Sequence, residues 1–462
     1  MANKDLPTNI KVQTYGDFHV HSGHSFDGVY TLESMIDAAR GVGSYIGEDK
    51  EDGTRPPRRM VTWLAFTDHD NMEGPRDLWR KNNEPLDKPY IVCNGVNVVS
   101  GVEVTCRLNS IRDGKGRSIK LHMLIYGASL DPNSPLSRLM AAKYKNDTDY
   151  DFGTLMFILS KSPKHNITMT DVRDFIQKKK KDNPSYSTLS KEDMHEFLCE
   201  YGVDIVKSNR AFLQLKQEAP KVDRLDIDVK DLIDIAHASG GFVVLAHPAR
   251  SLKKAVDPKI ALRELISLGM DGIEKWYNCE DWTFERYDQM IVECLNELSK
   301  EGFEDIVFTG GSDTHNFEHG VRLGLYSEKE IVEDMLRMVI SKLQFESISR
   351  KQRGINRGIG KSVDVNYIED LVQHYLDRAE ELAAGSIKET VPPAEKTIKK
   401  AIAKAKKKKR TKKSKKSYAD VDSFDDDLDL DEEQREKFQK AIDEAMEKEY
   451  SEHITDLIYG DD

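Results

Sequence analysis

Apolar runs with the length of β-strands recur along the chain, and each ends in polar or small residues. Seven such runs alternate with helical patterns, at residues 17–21, 63–69, 98–105, 119–126, 241–247, 271–277 and 305–315. The runs at 63–66 and 242–246 are apolar at successive positions, which is typical of strands buried on both faces of a parallel sheet. The alternation predicts an α/β fold, either as a barrel or as a covered open sheet.

The helical patterns predict how the chain is divided. Asp228 begins a helix predicted at 228–239, which Gly240 and Gly241 end, and another is predicted at 261–268. The polar, mostly helical stretch 133–224 is too long for a connection, so it predicts a helical insertion subdomain within a catalytic domain of residues 1–326. Helical patterns at 328–343 and 364–384 predict a helical extension over residues 327–385.

The last part of the chain, residues 386–462, differs sharply in composition. After Pro392 and Pro393, lysine dominates residues 396–416 and acidic residues dominate 420–433. Blocks of like charge without apolar periodicity predict a largely disordered tail, followed by a terminal amphipathic helix carrying Phe438, Ile442 and Met446. The lysine block predicts contact with a nucleic acid or a protein partner.

Composition bears on the cellular location of the protein. The chain is 38% hydrophobic and 32% charged, with a net charge of -12, and it has no apolar run long enough for a membrane span and no secretory signal. Its five cysteines are scattered and include no C-x-x-C pair, which excludes a thiolate metal site and favours reduced thiols. We therefore expect a cytoplasmic protein with no membrane contact.

Histidines collect at the ends of the predicted strands. His19 and His21 alternate along the first strand, so both side chains lie on one face, although such a pair alone fits a surface strand equally well. His69, His247 and His315 follow three other strands. Because the carboxyl ends of parallel strands meet at one mouth, these imidazoles are expected to converge.

Carboxylates in apolar surroundings point to metal ions. Glu103 and His122 each interrupt an otherwise apolar strand, and a buried carboxylate needs a cation or hydrogen-bond donors. Asp27 follows the first strand and Asp313 the last. The predicted metal ligands are nitrogen and oxygen donors only: His19, His21, Asp27, His69, Glu103, His122, His247, Asp313 and His315. Such a set suits two or three divalent ions of Mn, Fe or Zn.

The order of these motifs resembles that of the PHP family, named for its polymerase and histidinol phosphatase members. The resemblance covers residues 14–326 and is closest to the stand-alone phosphoesterases that act on nucleotides. It implies a distorted, TIM-like (β/α)7 barrel of seven strands with up to three metal ions. The implied ligands are His19, His21, Glu103 and Asp313 for the first ion, Glu103, His122 and His247 for the second, and Asp27, His69 and His315 for the third. The first two ions therefore share Glu103.

The resemblance also implies a reaction. We expect metal-dependent hydrolysis of nucleotide phosphate monoesters, such as nucleoside 3',5'-bisphosphates, through a metal-bound hydroxide. An exonuclease acting on DNA or RNA ends and a catalytically silent scaffold or polymerase-associated module are the alternatives. Asp68 is expected to act as a catalytic residue that orients a ligand or accepts a proton. Arg250, Lys207 and Arg210 are the predicted phosphate-binding residues.

Overall fold

The computed structural model describes residues 13–25, 27–40, 59–161, 167, 169–182, 191–203, 209–219, 224–277, 284–300, 306–315 and 364–390. The helix predicted at 328–343, Lys207 and the charged tail from residue 391, including its predicted terminal helix, lie outside these residues.

The described residues form eight strands and eleven helices. The strands are β1 (Gln13–Val20), β2 (Arg59–Phe66), β3 (Tyr90–Cys93), β4 (Val96–Arg112), β5 (Ser118–Tyr126), β6 (Phe242–Leu245), β7 (Gly272–Tyr277) and β8 (Val307–Gly311). The helices are α1 (Leu32–Ala39), α2 (Glu73–Lys81), α3 (Pro135–Ser160), α4 (Met169–Asp182), α5 (Lys191–Glu200), α6 (Asn209–Glu218), α7 (Val229–Ala238), α8 (Pro248–Leu252), α9 (Pro258–Ser267), α10 (Phe284–Lys300) and α11 (Val365–Thr390).

Seven strands form a nearly closed barrel, which confirms the predicted α/β fold. Their order is β1, β2, β4, β5, β6, β7 and β8, with β3 paired to the side of β4. The barrel closes where β1 ends beside the residues that follow β8. There Val20 pairs with Thr314, the His21 amide donates to the Thr314 carbonyl (3.0 Å), and the Asp313 amide donates to the His19 carbonyl (2.9 Å).

Among the seven barrel strands, one runs against the others, which an all-parallel interpretation of the sequence misses. The pairs β1–β2, β2–β4, β6–β7 and β7–β8 are parallel, whereas β5 is antiparallel to both β4 and β6. The reason is local, because only a short turn joins β4 to β5 and short turns join antiparallel strands. The Asp113 amide donates to the Arg117 carbonyl (2.8 Å) and closes this turn.

The short strand β3 was not among the predicted strands. It forms a hairpin with β4 through Asn94 and Gly95, whose φ angles are 50° and 87°. Two consecutive residues with positive φ are typical of the tight turn that joins hairpin strands, and Asn-Gly is its strongest sequence signal. That signal was present in the sequence and would have identified the strand.

Capping residues set the helix boundaries near the site. Asp228 caps α7 by accepting a hydrogen bond from the Lys230 amide (2.9 Å), so the predicted helix at 228–239 is confirmed. The helix predicted at 261–268 is α9, which begins three residues earlier than predicted. Asp257 caps it and Pro258 occupies its first position, where proline lacks only an amide that has no helical partner.

The long stretch between β5 and α7 has a hydrophobic cluster of its own. Helices α3 to α6 surround apolar side chains that are separate from the barrel core: Leu155, Ile158, Val172, Phe175, Met194, Phe197, Leu198, Val203 and Phe212. A separate core gives these helices an internal source of stability.

Helix α11 covers α3 and α7 on the outside of the barrel. It is the helix predicted at 364–384, extended to Thr390. Ile368, Val372 and Tyr375 are buried in the interface. The Tyr375 hydroxyl donates to Asp231 Oδ2 (2.7 Å) and accepts from the Asp228 amide (3.0 Å), which joins α11 to the start of α7.

Two kinds of feature, a membrane-spanning helix and a disulfide, are absent from the residues that the structure describes. None of their helices is both apolar enough and long enough to cross a lipid bilayer. None of the four cysteines among them, Cys93, Cys106, Cys199 and Cys294, forms a disulfide, and Cys279 lies outside the described residues.

The hydrogen bonds of Tyr375 lead to a prediction about stability. Tyr375→Phe should lower the free energy of unfolding by about 1 to 2 kcal/mol, because two partly buried polar groups lose their partner. Tyr367→Phe, on the same helix, removes exposed hydrogen bonds to Lys230 and Asp234 and should cost less than about 0.5 kcal/mol. Urea denaturation followed by circular dichroism measures both, and equal losses would contradict the role of Tyr375.

Candidate metal centre

The end of β1 brings two imidazoles into the barrel mouth. His19 and His21 are both fully buried, and their ring centroids are 5.2 Å apart. Their approach to β8 depends on Gly311, since a Cβ atom at that position would lie 2.3 Å from the His19 Cβ. The glycine before Ser312 is therefore required by the closure of the barrel.

Glu103 of β4 lies at the centre of the site and is 1% exposed. One of its carboxylate oxygens, Oε2, faces three histidines. It is 3.4 Å from His19 Nε2, 3.3 Å from His21 Nε2 and 3.0 Å from His69 Nδ1. His69 reaches it because the loop after β2 pairs with β4 at Glu103.

The second oxygen of Glu103 faces two further histidines. Oε1 is 2.9 Å from His122 Nδ1 on β5 and 3.0 Å from His247 Nε2 after β6. The carboxylate thus bridges the residues predicted for the first ion and those predicted for the second. The structure brings all of them together.

Asp313 completes the first group of donors. Its Oδ1 atom is 3.4 Å from both His19 Nε2 and His21 Nε2. Four donors arranged as a tetrahedron about 2.1 Å from one ion lie about 3.4 Å from one another. The four distances that join His19 and His21 to Glu103 and to Asp313, 3.3 to 3.4 Å, have this spacing.

Asp27 gathers a more open group at the rim of the site. Its Oδ2 atom is 3.3 Å from His69 Nε2 and 3.2 Å from His315 Nε2. The ring of His21 stacks on that of His315 with centroids 4.2 Å apart. Asp27 and His315 are each 29% exposed, so this group faces solvent, whereas in the other two groups only His122, at 26%, is exposed to a similar degree.

Two of these residues have unusual backbone conformations. His247 has a φ of 29° and Asp313 a φ of 54°. Non-glycine residues rarely adopt positive φ, and the surrounding structure must stabilise such conformations where they occur. Both residues lie two positions past the end of a buried strand, and the turn there aims their side chains into the mouth.

Several buried polar atoms in the site have no hydrogen-bond partner. They include His19 Nε2, His21 Nε2 and Glu103 Oε2, which face one another. Buried polar atoms are normally paired, so a cluster of unpaired polar atoms requires an explanation. Four overlapping sets of side chains here have ligand atoms close enough to share an ion. The donors therefore fit divalent metal ions.

The charges of the site support the same fit. Burial alone would lower the pKa of His21, but the carboxylates of Asp313 and Glu103 beside it raise it to about 10. Burial would raise the pKa of Glu103, but His69, His19 and the other imidazoles bring it well below its usual value. The carboxylates therefore remain ionised and require positive charge beside them, which protons or metal ions can supply.

Glu274 of β7 belongs to the site although it was not among the predicted residues. It is fully buried, and its Oε1 atom is 2.9 Å from His19 Nδ1. Its Oε2 atom accepts a hydrogen bond from the His247 amide (2.6 Å). The sequence contained a signal for it, because Glu274 follows Ile273 in a short strand much as Glu103 follows Val102.

Two other aspartates fix the loops that carry the ligands. Both oxygens of Asp68 accept hydrogen bonds from Ser22, one from its amide (2.6 Å) and one from its hydroxyl (2.9 Å), and burial raises the pKa of Asp68. Asp68 thus holds the loop after His21. Asp17 Oδ1 accepts from the Ser312 amide (2.9 Å) and holds the loop before Asp313.

The loop of His69 is anchored to the helical stretch. Asp70 Oδ1 accepts from the Thr105 amide (2.9 Å), and Asp70 Oδ2 is 3.6 Å from the buried Lys143 Nζ of α3. Lys143 also donates to the Leu225 carbonyl (3.3 Å), where the chain returns to the barrel. The buried ammonium group of Lys143 therefore links the loop of His69 to both ends of the helical stretch.

Of the predicted phosphate-binding residues, Arg250 lies at the site. Its Nη1 atom donates to Asp313 Oδ2 (2.8 Å), and its side chain is 50% exposed. Arg210 is exposed near the start of α6 and Lys207 lies outside the described residues.

Comparison with protein-family models and with curated protein sequences gives no match. Solved structures that are similar to this chain include the following two. A candidate metal-dependent phosphoesterase from Bifidobacterium adolescentis shares 20% identity at a TM-score of 0.45, over 71% of this chain and 98% of that chain. An amidohydrolase from Chromobacterium violaceum with bound sulfate and no metal shares 18% identity at a TM-score of 0.41, over 72% and 97%. Neither likeness by itself assigns a function to this chain.

The central position of Glu103 leads to a prediction about metal content. After reconstitution with manganese or zinc, Glu103→Gln should lose most of the bound metal, because one substitution weakens donors of both buried groups. His315→Ala should lose only the ion of the open group. Elemental analysis by mass spectrometry measures metal per chain, with the exposed Glu297→Gln as a control. Wild-type metal content in Glu103→Gln would contradict the bridging role.

Proposed function

We propose that this chain is a PHP-type metal-dependent phosphoesterase that hydrolyses phosphate monoesters of nucleotides, such as nucleoside 3',5'-bisphosphates. The observation that carries the proposal is the convergence of nine predicted ligands on one mouth of the barrel, with Glu103 between the two buried groups. The motif order of the sequence supports membership of the PHP family. A scaffold role is disfavoured because the whole ligand set is present.

Divalent ions bound here would acidify a water molecule and neutralise charge that develops on a phosphate. The protein's own contribution is to hold the metal-ligating atoms in position before substrate arrives. Glu103 is held by the histidines around it, and Asp313 by the closure of the barrel. Because the mouth is open at Asp27 and His315, substrate can approach from that side.

Arg250 is the side chain best placed to bind substrate phosphate. Its guanidinium lies against Asp313 at the edge of the buried group and is half exposed. An arginine can offer two parallel hydrogen bonds to a phosphate, which a lysine cannot. The phosphate-binding roles of Arg210 and Lys207, in the helical stretch, remain predictions.

The proposed activity is tested with a panel of substrates. With manganese supplied, we expect release of inorganic phosphate from nucleoside bisphosphates and monophosphates. His21→Ala and Asp313→Ala should each lower the rate by more than about 100-fold, because each removes a direct ligand. His374→Ala, which changes an exposed histidine of α11, should leave the rate unchanged.

The same panel separates the alternatives. Release of mononucleotides from 5'-labelled oligonucleotides, without release of phosphate from nucleotides, would replace the phosphatase with an exonuclease. Wild-type protein that binds metal and hydrolyses neither class of substrate would overturn the proposal.

Arg250 gives a prediction about substrate affinity. Arg250→Ala should raise KM for the best nucleotide by about 10-fold and lower kcat less, because a charge-assisted contact to the phosphate contributes about 1.5 kcal/mol or more. Arg80→Ala, an exposed arginine paired with Asp77 on α2, is the matched control. Steady-state kinetics measures both, and an unchanged KM in Arg250→Ala would exclude the contact.

A further inference from the structure

Glu274 contacts one histidine from each buried ligand group. One carboxylate oxygen lies 2.9 Å from His19 Nδ1, and the other accepts the His247 amide at 2.6 Å. The carboxylate is fully buried, and its two oxygens have different partners. A buried carboxylate is costly unless each oxygen has a donor, which these two contacts provide.

The contact with His19 determines which ring nitrogen carries the proton. A carboxylate accepts hydrogen bonds, so the neutral His19 ring holds its proton on Nδ1 and donates it to Glu274. The lone pair is then on Nε2. That atom faces Glu103 Oε2 and Asp313 Oδ1, each 3.4 Å away, in the middle of the first donor group.

The contact with His247 holds a strained backbone. His247 has a φ of 29°, and its amide points to Glu274 Oε2. Its ring then reaches Glu103, with Nε2 3.0 Å from Oε1. The hydrogen bond to the amide thus stabilises the turn that aims the His247 ring into the second donor group.

We propose that Glu274 is a positioning residue that orients the His19 ligand of the first ion and the His247 ligand of the second, so that a single buried carboxylate sets both. The inference rests on the proposed function, since it assumes that the donor groups hold metal. Partners that orient a ligand histidine typically change metal affinity by 10- to 100-fold when they are lost.

The residue that precedes the same strand offers a matched control. Asp271, just before β7, also contacts one histidine and one backbone amide. Its Oδ2 atom is 2.7 Å from His237 Nε2 and accepts the Val243 amide at 2.8 Å. The chemistry of the two carboxylates is alike, but Asp271 contacts no predicted metal ligand in these two bonds.

The test compares Glu274→Gln with Asp271→Asn in the full-length chain. A glutamine at position 274 can accept the His247 amide only by turning its NH2 group toward His19, which forces the His19 proton onto Nε2. The opposite orientation sets the NH2 group against the His247 amide. In either orientation one ligand is disturbed.

We expect Glu274→Gln to bind Co²⁺ and Mn²⁺ about 10- to 100-fold more weakly than wild type in calorimetric titrations. The visible absorption spectrum of the bound Co²⁺ should also change, since it reports ligand geometry rather than stability. Asp271→Asn should keep the wild-type affinity and spectrum, even if its thermal melting temperature falls. Wild-type affinity and spectrum in Glu274→Gln would overturn the inference.

A second measurement uses only the wild-type protein. Nitrogen-15 spectra of histidine-labelled, zinc-loaded wild type should show His19 protonated on Nδ1. A proton on Nε2 would overturn the positioning role. Wild-type protein that binds no divalent ion would overturn the proposed function itself, whereas metal binding that is indifferent to Glu274 overturns only this inference.

Discussion

The burial of one carboxylate, that of Glu103, is the constraint on which the site depends. Removing an ionised carboxylate from water costs several kcal/mol unless cationic or donor groups surround it. In this protein the imidazoles around Glu103 come from β1, from β5 and from the loops after β2 and β6. No local segment could supply them, so the closed barrel is what makes the buried charge tolerable.

The closure of the barrel in turn depends on polar contacts outside the ligand set. Asp17 ties β1 to the loop after β8, and Asp68 ties the loop after β1 to that after β2. Glu274 ties β7 to His19 and to the turn at His247. Each of these carboxylates accepts hydrogen bonds from backbone amides or ligand side chains. The ligands are therefore held in place by residues outside the ligand set, which orient the side chains before an ion binds.

Much of this could be predicted from sequence, because the signals are local. Strand-end position predicted His69, His247 and His315, and a charge within an apolar strand predicted Glu103. Glu274 carries a similar signal but is followed by Lys275, and an adjacent acid and base resemble an exposed strand. Only the register of β7 shows that Glu274 points inward and is fully buried. The reversed direction of β5 likewise follows from the turn at Asp113. The pattern of apolar residues predicts strands but not their direction, so it could not predict this reversal.

Under the proposed function, the pairing of Arg250 with Asp313 would connect metal binding to substrate binding. Asp313 Oδ1 points to the first donor group, while Oδ2 holds the guanidinium of Arg250. A cation in the donor group would draw the charge of Asp313 toward it and weaken its attraction for the arginine. Arg250, already half exposed, would then be available to a phosphate. Under the proposed function, the same aspartate would make the cationic side chain most accessible when the centre holds metal, so that a phosphate would meet the arginine and the ions together.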